Sequence, residues 1–306
     1  MGVIRKGKSL RPPLTDEPHE LTLRPFLELV RPPNVTTAMA DVLAGYAVAG
    51  AAWPGSIAWL LGATVCLYAG GIVLNDVFDV DIDRVERPER PIPSGRVSRT
   101  AAARFGGSLL GIGALLAWGG GLATGLVAAA TALCILLYDA IGKRQSWGPV
   151  NMGLCRSGNL LLGVAATPAA LGWAWPLALL PLAYITAVTA VSRGEVHGGN
   201  RPVAALALIF LGAVLLALLW LSSVPHWSPP GLLLLAALAY RVLPPFVRTW
   251  QHPSAATTRL AVRSGVLSLM LLDAVIGAVY AGAVYAAGMV VTALAAGWLA
   301  RRFAVT

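Results

Sequence analysis

Apolar residues run along this chain in long unbroken blocks, and polar residues gather at the joints between them. The blocks fall near 34–52, 56–77, 100–118, 121–140, 149–167, 173–192, 202–222, 230–247, 261–281 and 284–302. Each is close to the roughly 20 apolar residues with which an α-helix crosses a bilayer. Breakers mark the joints: Trp53-Pro54-Gly55, Gly119-Gly120-Gly121, Pro168, Pro225, Pro229-Pro230 and Pro253. The last two blocks form one run far longer than a single crossing, so a turn is expected between Tyr280 and Gly288. The pattern predicts an all-α fold, a polytopic transmembrane helix bundle of nine or ten spans, with ten favoured.

Composition supports the same class. Only 12% of the residues are charged, against roughly 25% in an average soluble domain, which leaves too few polar side chains to cover a soluble surface. Residues 1–31 hold charges and prolines without a compact apolar stretch and small-residue cleavage site, so no cleavable signal peptide is expected. The connections alternate in charge. Arg84, Arg87, Arg90, Arg96 and Arg99 follow the second block, Lys143 and Arg144 the fourth, Arg193 and Arg201 the sixth, and Arg248, Arg259 and Arg263 the eighth. The intervening connections carry no Lys or Arg. Because basic residues collect on the cytoplasmic side, the N-terminus and these four connections are expected there, in an inner (plasma) membrane. Arg301 and Arg302 on the same side require an even number of spans. The net charge of +9 is then largely topology, with some affinity for anionic lipid. No aromatic-interleaved basic patch or zinc spacing supports nucleic-acid binding. Cys66, Cys134 and Cys155 sit in apolar blocks and read as buried free thiols.

One polar stretch stands apart: LNDVFDVDIDRVERPERPIPSGR, Leu74 to Arg96. Asn75, Asp79 and Asp83 recur at i, i+4 and i+8, which stacks them on one helical face, with Asp76 on the flank. Such like charges repel unless a cation joins them, and oxygen-only donors suit Mg²⁺, which takes a few carboxylates plus substrate phosphate oxygens. Arg84, Arg87 and Arg90 offer planar donor forks to the same phosphates. The alternative is a solvated membrane-exit segment with internal salt bridges. Further polar residues mark the cytoplasmic ends of other blocks. These are Arg31 and Asn34 at the first, Tyr138, Asp139, Lys143 and Arg144 at the fourth, Arg156 and Asn159 inside the fifth, and Ser192, Arg193, Glu195 and His197 after the sixth. Charged groups at membrane depth face a bundle interior or cavity. Together they outline a central cavity open to the cytoplasm, suited to an anionic head with a hydrocarbon tail. Asp41 and Asp273, deep in apolar blocks, are each expected to be neutral, to pair with a buried base such as Arg156 or Arg241, or to line an acceptor chamber.

NDVFDVDID resembles the first aspartate-rich motif, NDxxDxxxD, of the UbiA family of membrane prenyltransferases, through Asn75, Asp76, Asp79 and Asp83. RPERPIPSGRVS, from Arg87 to Ser98, is similar to its continuation. RPPN, the Tyr138–Lys143 segment and GLCRSGN are weaker marks of the same resemblance, which runs from about residue 25 to the C-terminus. The resemblance implies a single transmembrane domain over 31–306 after a cytoplasmic segment 1–30. It implies Mg²⁺-dependent transfer of an isoprenyl group from an allylic polyprenyl diphosphate to an unidentified lipophilic or alcohol acceptor, with release of pyrophosphate. On this reading Asn75, Asp76, Asp79, Asp83 and Glu195 hold metal, and Asp79, Asp83, Lys143 and Tyr138 are catalytic. Asn34, Arg87, Arg90, Arg156, Asn159, Arg193 and His197 bind substrate.

One departure stands out. The family's second motif is commonly DxxxD followed by Gly. With Gly199 as that glycine, Glu195 takes the place of the second acid and Val191 that of the first, which leaves one or two Mg²⁺ ions open. The altered segment suggests a divergent branch of the EboC-like kind. Two other functions stay open: a polar-lipid transporter or flippase, and an inactive family member serving as a binding subunit.

Overall fold

A computed structural model of the chain describes residues 23–50 and 56–299, and every regular element among them is helical. The helices are α1 (Arg24–Val30), α2 (Pro32–Val48), α3 (Ser56–Phe78), α4 (Val80–Glu86), α5 (Arg99–Trp118), α6 (Leu122–Ala140), α7 (Gly148–Val164), α8 (Leu171–Ala174), α9 (Leu179–Ser192), α10 (Arg201–Ser223), α11 (Pro229–Gln251) and α12 (Ala255–Leu299). Seven helical runs among the described residues are long and apolar enough to cross a membrane, one of them Pro168–Ser192 taken as a whole. That run is segmented: 3₁₀ turns at Pro168–Ala170 and Trp175–Ala178 flank α8, where Pro168 and Pro176 lack the N–H that a longer helix needs. α2 and α7 are shorter, at 17 residues each. The breaker Trp53-Pro54-Gly55, the pair Arg301 and Arg302, and residues 1–22 of the N-terminal segment lie outside the described residues.

The long helices pack in chain order: α2 on α3, then α5, α6, α7, α9, α10, α11 and α12, which returns to α2 and closes a ring. α2 and α7 also meet across that ring. Their crossing needs glycine. A Cβ on Gly45 would run into the Leu160 carbonyl, and one on Gly163 into the Val42 carbonyl. Two such backbones in contact bring the side chains one turn away, Asp41 and Arg156, within reach of each other. One core gathers under α2, α7 and α9–α12, around Tyr184, Leu218, Leu238 and Phe246. A second lies between α2, α3, α5 and α6, around Tyr46, Leu60 and Leu67. Trp59, Leu115, Ile209, Leu216, Trp220 and Leu233 point outward and exposed, as lipid-facing residues do.

α12 is not one rod. Gly282 takes φ 83° and ψ −176°, a region that only glycine enters without strain. A Cβ on Gly277 would meet Met289 Sδ at 2.7 Å, although twelve residues of continuous helix would separate them by about 18 Å. The chain therefore folds back at Gly282, inside the expected Tyr280–Gly288 window.

Candidate active site

The aspartate-rich stretch keeps its helical ladder where α3 gives way to α4: Asp79 N–H donates to Asn75 O at 3.0 Å and Asp83 N–H to Asp79 O at 2.8 Å. The face that carries Asn75, Asp79 and Asp83 is thereby preserved, but each side chain has its own partner. Asn75 Nδ2 donates to Asp139 Oδ1 at 2.9 Å. Lys143 Nζ lies 2.6 Å from Asp79 Oδ1, close enough for an ion pair, without the alignment of a hydrogen bond. Arg90 Nη1 donates to Asp83 Oδ2 at 2.7 Å and to Asp76 Oδ1 at 3.2 Å. Arg31, left-handed at φ 49° between α1 and α2, places its Nη2 at 2.6 Å from the same Asp76 oxygen. Burial lowers the Arg31 pKa, and Arg90 and Arg87 add to that lowering while Asp76 opposes it.

Beneath this rim α2, α3, α6 and α7 enclose a cavity of about 250 Å³. Arg31, Asn34, Asn75, Tyr138 and Asp139 stand on its walls, and Tyr68, Arg156 and Asn159 on its floor. Ile72, Ile135 and Met152 supply apolar surface between them. Asp139 is 3% exposed and its Oδ2 has no donor. Among the described residues, no three acidic, histidine or cysteine side chains come together to hold a metal ion by themselves. The donors that reach the cavity are hard oxygens, Asn75 and Asp139, with Asp79 one turn beyond Asn75. That set fits Mg²⁺ if a phosphate completes the shell, because Mg²⁺ is usually held by one or two carboxylates plus substrate oxygens rather than by a protein cage.

The floor is organised differently. Arg156 Nη1 donates to Asp41 Oδ2 at 2.8 Å, and its Nη2 to Thr37 Oγ1 at 2.6 Å and Tyr68 OH at 3.0 Å. The guanidinium also lies 4.8 Å from the Tyr68 ring centroid. Thr64 Oγ1 donates to Asn159 Oδ1 at 3.1 Å, and Asn159 Nδ2 to Asp41 Oδ2 at 3.4 Å. The Asp273 carboxyl, from α12, abuts Asp41 within hydrogen-bonding reach. Of the fates open to these two acids, pairing with a buried base holds for Asp41, with Arg156, whereas neither oxygen of Asp273 finds a hydrogen-bond donor.

A profile of the UbiA prenyltransferase family matches residues 36–262. The chain belongs to the UbiA prenyltransferase family. Among its relatives is a digeranylgeranylglyceryl phosphate synthase from Ignicoccus hospitalis, 36% identical over 182 residues, 58% of each chain. The chain spans about half the length of the first such relatives it matches, 58%, 44% and 47%. The fold is shared with a UbiA homolog from Aeropyrum pernix K1, with a TM-score of 0.64 at 16% identity over 79% of this chain and 96% of that one. It is shared also with a UbiA homolog from Archaeoglobus fulgidus bound to DMAPP and Mg²⁺, with a TM-score of 0.52 at 13% identity over 89% and 98%.

In this UbiA-family chain Asn34, Asn75, Tyr138, Arg156 and Asn159 border the cavity. Asp76, Asp79, Asp83, Arg90 and Lys143 form the ion-paired rim. Glu195 stands apart from both, in the field of Arg87 and Arg259, with burial raising its pKa and those two arginines lowering it. Arg259 Nη1 also donates to the Glu195 carbonyl at 3.0 Å. Arg193 reaches the Gln145 carbonyl, which ties the loop after α9 to the one after α6, and His197 is exposed. Tyr68 and Asp139 are lining residues that the motif reading did not assign. Tyr68 carries no sequence signal of its own, whereas Asp139 has one, a lone acid where an otherwise apolar block meets a basic connection.

Proposed function

We propose that this chain is a Mg²⁺-dependent intramembrane prenyltransferase. It moves an isoprenyl group from an allylic diphosphate to an alcohol acceptor in the bilayer and releases pyrophosphate. The carrying observation is the convergence of a carboxylate, Asp139, and two arginines, Arg31 and Arg156, on one cavity that also offers apolar surface. The DMAPP and Mg²⁺ of the Archaeoglobus fulgidus homolog support the donor class. The relatives' name supports a glyceryl-phosphate-type alcohol as acceptor.

The ring of long helices, with α12 folding back at Gly282, supports ten crossings in one domain over 31–306. The rim carries Arg87, Arg90 and Lys143, which supports a cytoplasmic mouth.

Asn75 and Asp79 would hold Mg²⁺ at the rim, with Asp83 and Asp76 setting the negative field around it. Bound there, the ion stabilises the negative charge that grows on the departing pyrophosphate. Lys143 and Arg31, paired with Asp79 and Asp76, turn toward the diphosphate oxygens as substrate enters. The allylic C–O bond breaks with its electron pair on pyrophosphate. The acceptor oxygen forms the new C–O bond and gives up its proton to an oxygen of the departing pyrophosphate. Ile72, Ile135 and Met152 keep water from the allylic cation, and the face of Tyr138 shields it, an attraction of about 0.5–2 kcal/mol.

The test is purified protein in lipid nanodiscs with allylic diphosphates of several chain lengths, a prenylglyceryl phosphate and a host lipid extract. Pyrophosphate release that needs Mg²⁺, with a matching prenylated product by mass spectrometry, is expected. Flipping of a labelled polar lipid in proteoliposomes, with no pyrophosphate released from any donor, would establish the transporter reading instead.

A further inference from the structure

The resemblance places a carboxylate of the second motif at position 191, and this chain has Val191 there. Val191 is buried on α9, and it borders a separate hollow formed by α9, α10 and the 193–200 loop. No residue of α9 lines the central cavity. Asp139 is the one carboxylate among the cavity's lining residues, and it comes from the end of α6, on the other side of α7 from α9.

Three observations single out this side chain. Asp139 Oδ1 is held by Asn75 Nδ2 at 2.9 Å, so the two share one wall and leave the Asn75 amide oxygen free for a second contact. Its Oδ2 is buried with no donor, a condition a native protein keeps only where something else supplies the missing partner. Lys143, Asp79 and Asp76 all act on it electrostatically, so it stands in the field of the rim cluster. A carboxylate so buried, half satisfied and facing a polar cavity has the properties of a metal ligand.

We propose that Asp139 is a direct oxygen ligand of the divalent cation that arrives with the diphosphate, taking over the part of the carboxylate lost at Val191. This rests on the prenyltransferase reading and adds a third protein donor to Asn75 and Asp79. The ligand set then comes from α3 and α6, on one side of the cavity, instead of from two facing motifs.

The test reads metal uptake directly. Mn²⁺ retained by the purified protein in the presence of inorganic pyrophosphate is measured by electron paramagnetic resonance for wild type, Asp139→Asn and Asp139→Cys. Thermal unfolding without metal checks that each variant is folded. Asp139→Asn is expected to weaken Mn²⁺ retention at least about tenfold. Asp139→Cys is expected to lose Mn²⁺ similarly but to gain Cd²⁺ relative to wild type, because a thiolate prefers a soft ion. Comparison with wild type subtracts any Cd²⁺ taken by Cys155. Unchanged Mn²⁺ retention in Asp139→Asn would overturn the assignment. So would equal weakening of Mn²⁺ and Cd²⁺ in Asp139→Cys, since that marks a residue acting only through Asn75. Wild-type protein that retains no Mn²⁺ with pyrophosphate overturns the inference and the metal-dependent reading together, whereas retention by wild type and Asp139→Asn alike leaves that reading standing.

Discussion

The rim and the floor of the cavity are built from the same chemistry, arginine or lysine against aspartate, yet they are held very differently. At the floor, Arg156 and Asp41 have side chains 5% and 0% exposed. Thr37, Tyr68 and Asn159 use up most of the remaining hydrogen-bonding capacity. At the rim, Lys143 and Asp79 are 12% and 19% exposed, and Arg90 divides one nitrogen between Asp76 and Asp83. A rim cation can leave its partner for a diphosphate and gain by it, because it has fewer hydrogen bonds to give up: Lys143 makes none, where Arg156 makes three. Arg156 would have to abandon a dry, multiply bonded site. Its side chain borders the cavity, but its charge is spent on α2.

The largest effect should come from breaking the floor. Asp41→Val strands the Arg156 guanidinium, and removing one partner of a buried pair costs about 3–5 kcal/mol. Chemical unfolding in detergent should register a loss of that size. The double variant Asp41→Val/Arg156→Met, which removes both charges, should recover most of it. A single variant as stable as wild type would mean that the floor is no lock. Next in size is Asp79→Asn at the rim. If Asp79 holds metal, pyrophosphate release should fall by about 10²-fold, equivalent to roughly 2.7 kcal/mol of barrier. Its unfolding midpoint should move far less than that of Asp41→Val, because Asp79 is 19% exposed where Asp41 is 0%. Wild-type turnover in Asp79→Asn would remove the metal assignment; a stability loss matching that of Asp41→Val would erase the difference between rim and floor.

The rim was legible in the sequence because its residues are local. Asn75, Asp76, Asp79, Asp83 and Arg90 lie within one stretch, and helical spacing alone sets their face. The turn at Gly282 was legible because a bilayer has a fixed thickness. The floor was harder. Asp41, Arg156 and Asp273 come from three helices far apart in the chain, and only the glycine contact between α2 and α7 decides which acid meets which base. The i, i+4 rule put Asn75 and Asp79 on one face but said nothing of α6, so the partnership of Asn75 with Asp139 was out of reach. Glu195 shows the converse. Its spacing from Gly199 nominated it for the acid wall, but the loop after α9 carries it to Arg87 and Arg259, and loop paths are set by long-range packing.

Glu195 also supplies the smallest and most delicate probe of the comparison, through the sign of a pH slope. Burial raises its pKa above the ordinary 4.5, against the pull of Arg87 and Arg259. The folded protein then binds this proton more tightly than the unfolded chain, so the group favours folding most when protonated. That contribution is full at low pH and shrinks as pH rises through the window above 4.5. Glu195→Gln removes the group, so its stability relative to wild type should rise gently as pH increases from acid toward neutral, in unfolding midpoints measured pairwise across that range. A carboxylate whose pKa is held below its ordinary value by a committed cation would give the reverse: wild type would lose stability relative to Gln on acidification. The sign of this one difference therefore tells whether burial or the pull of Arg87 and Arg259 governs Glu195.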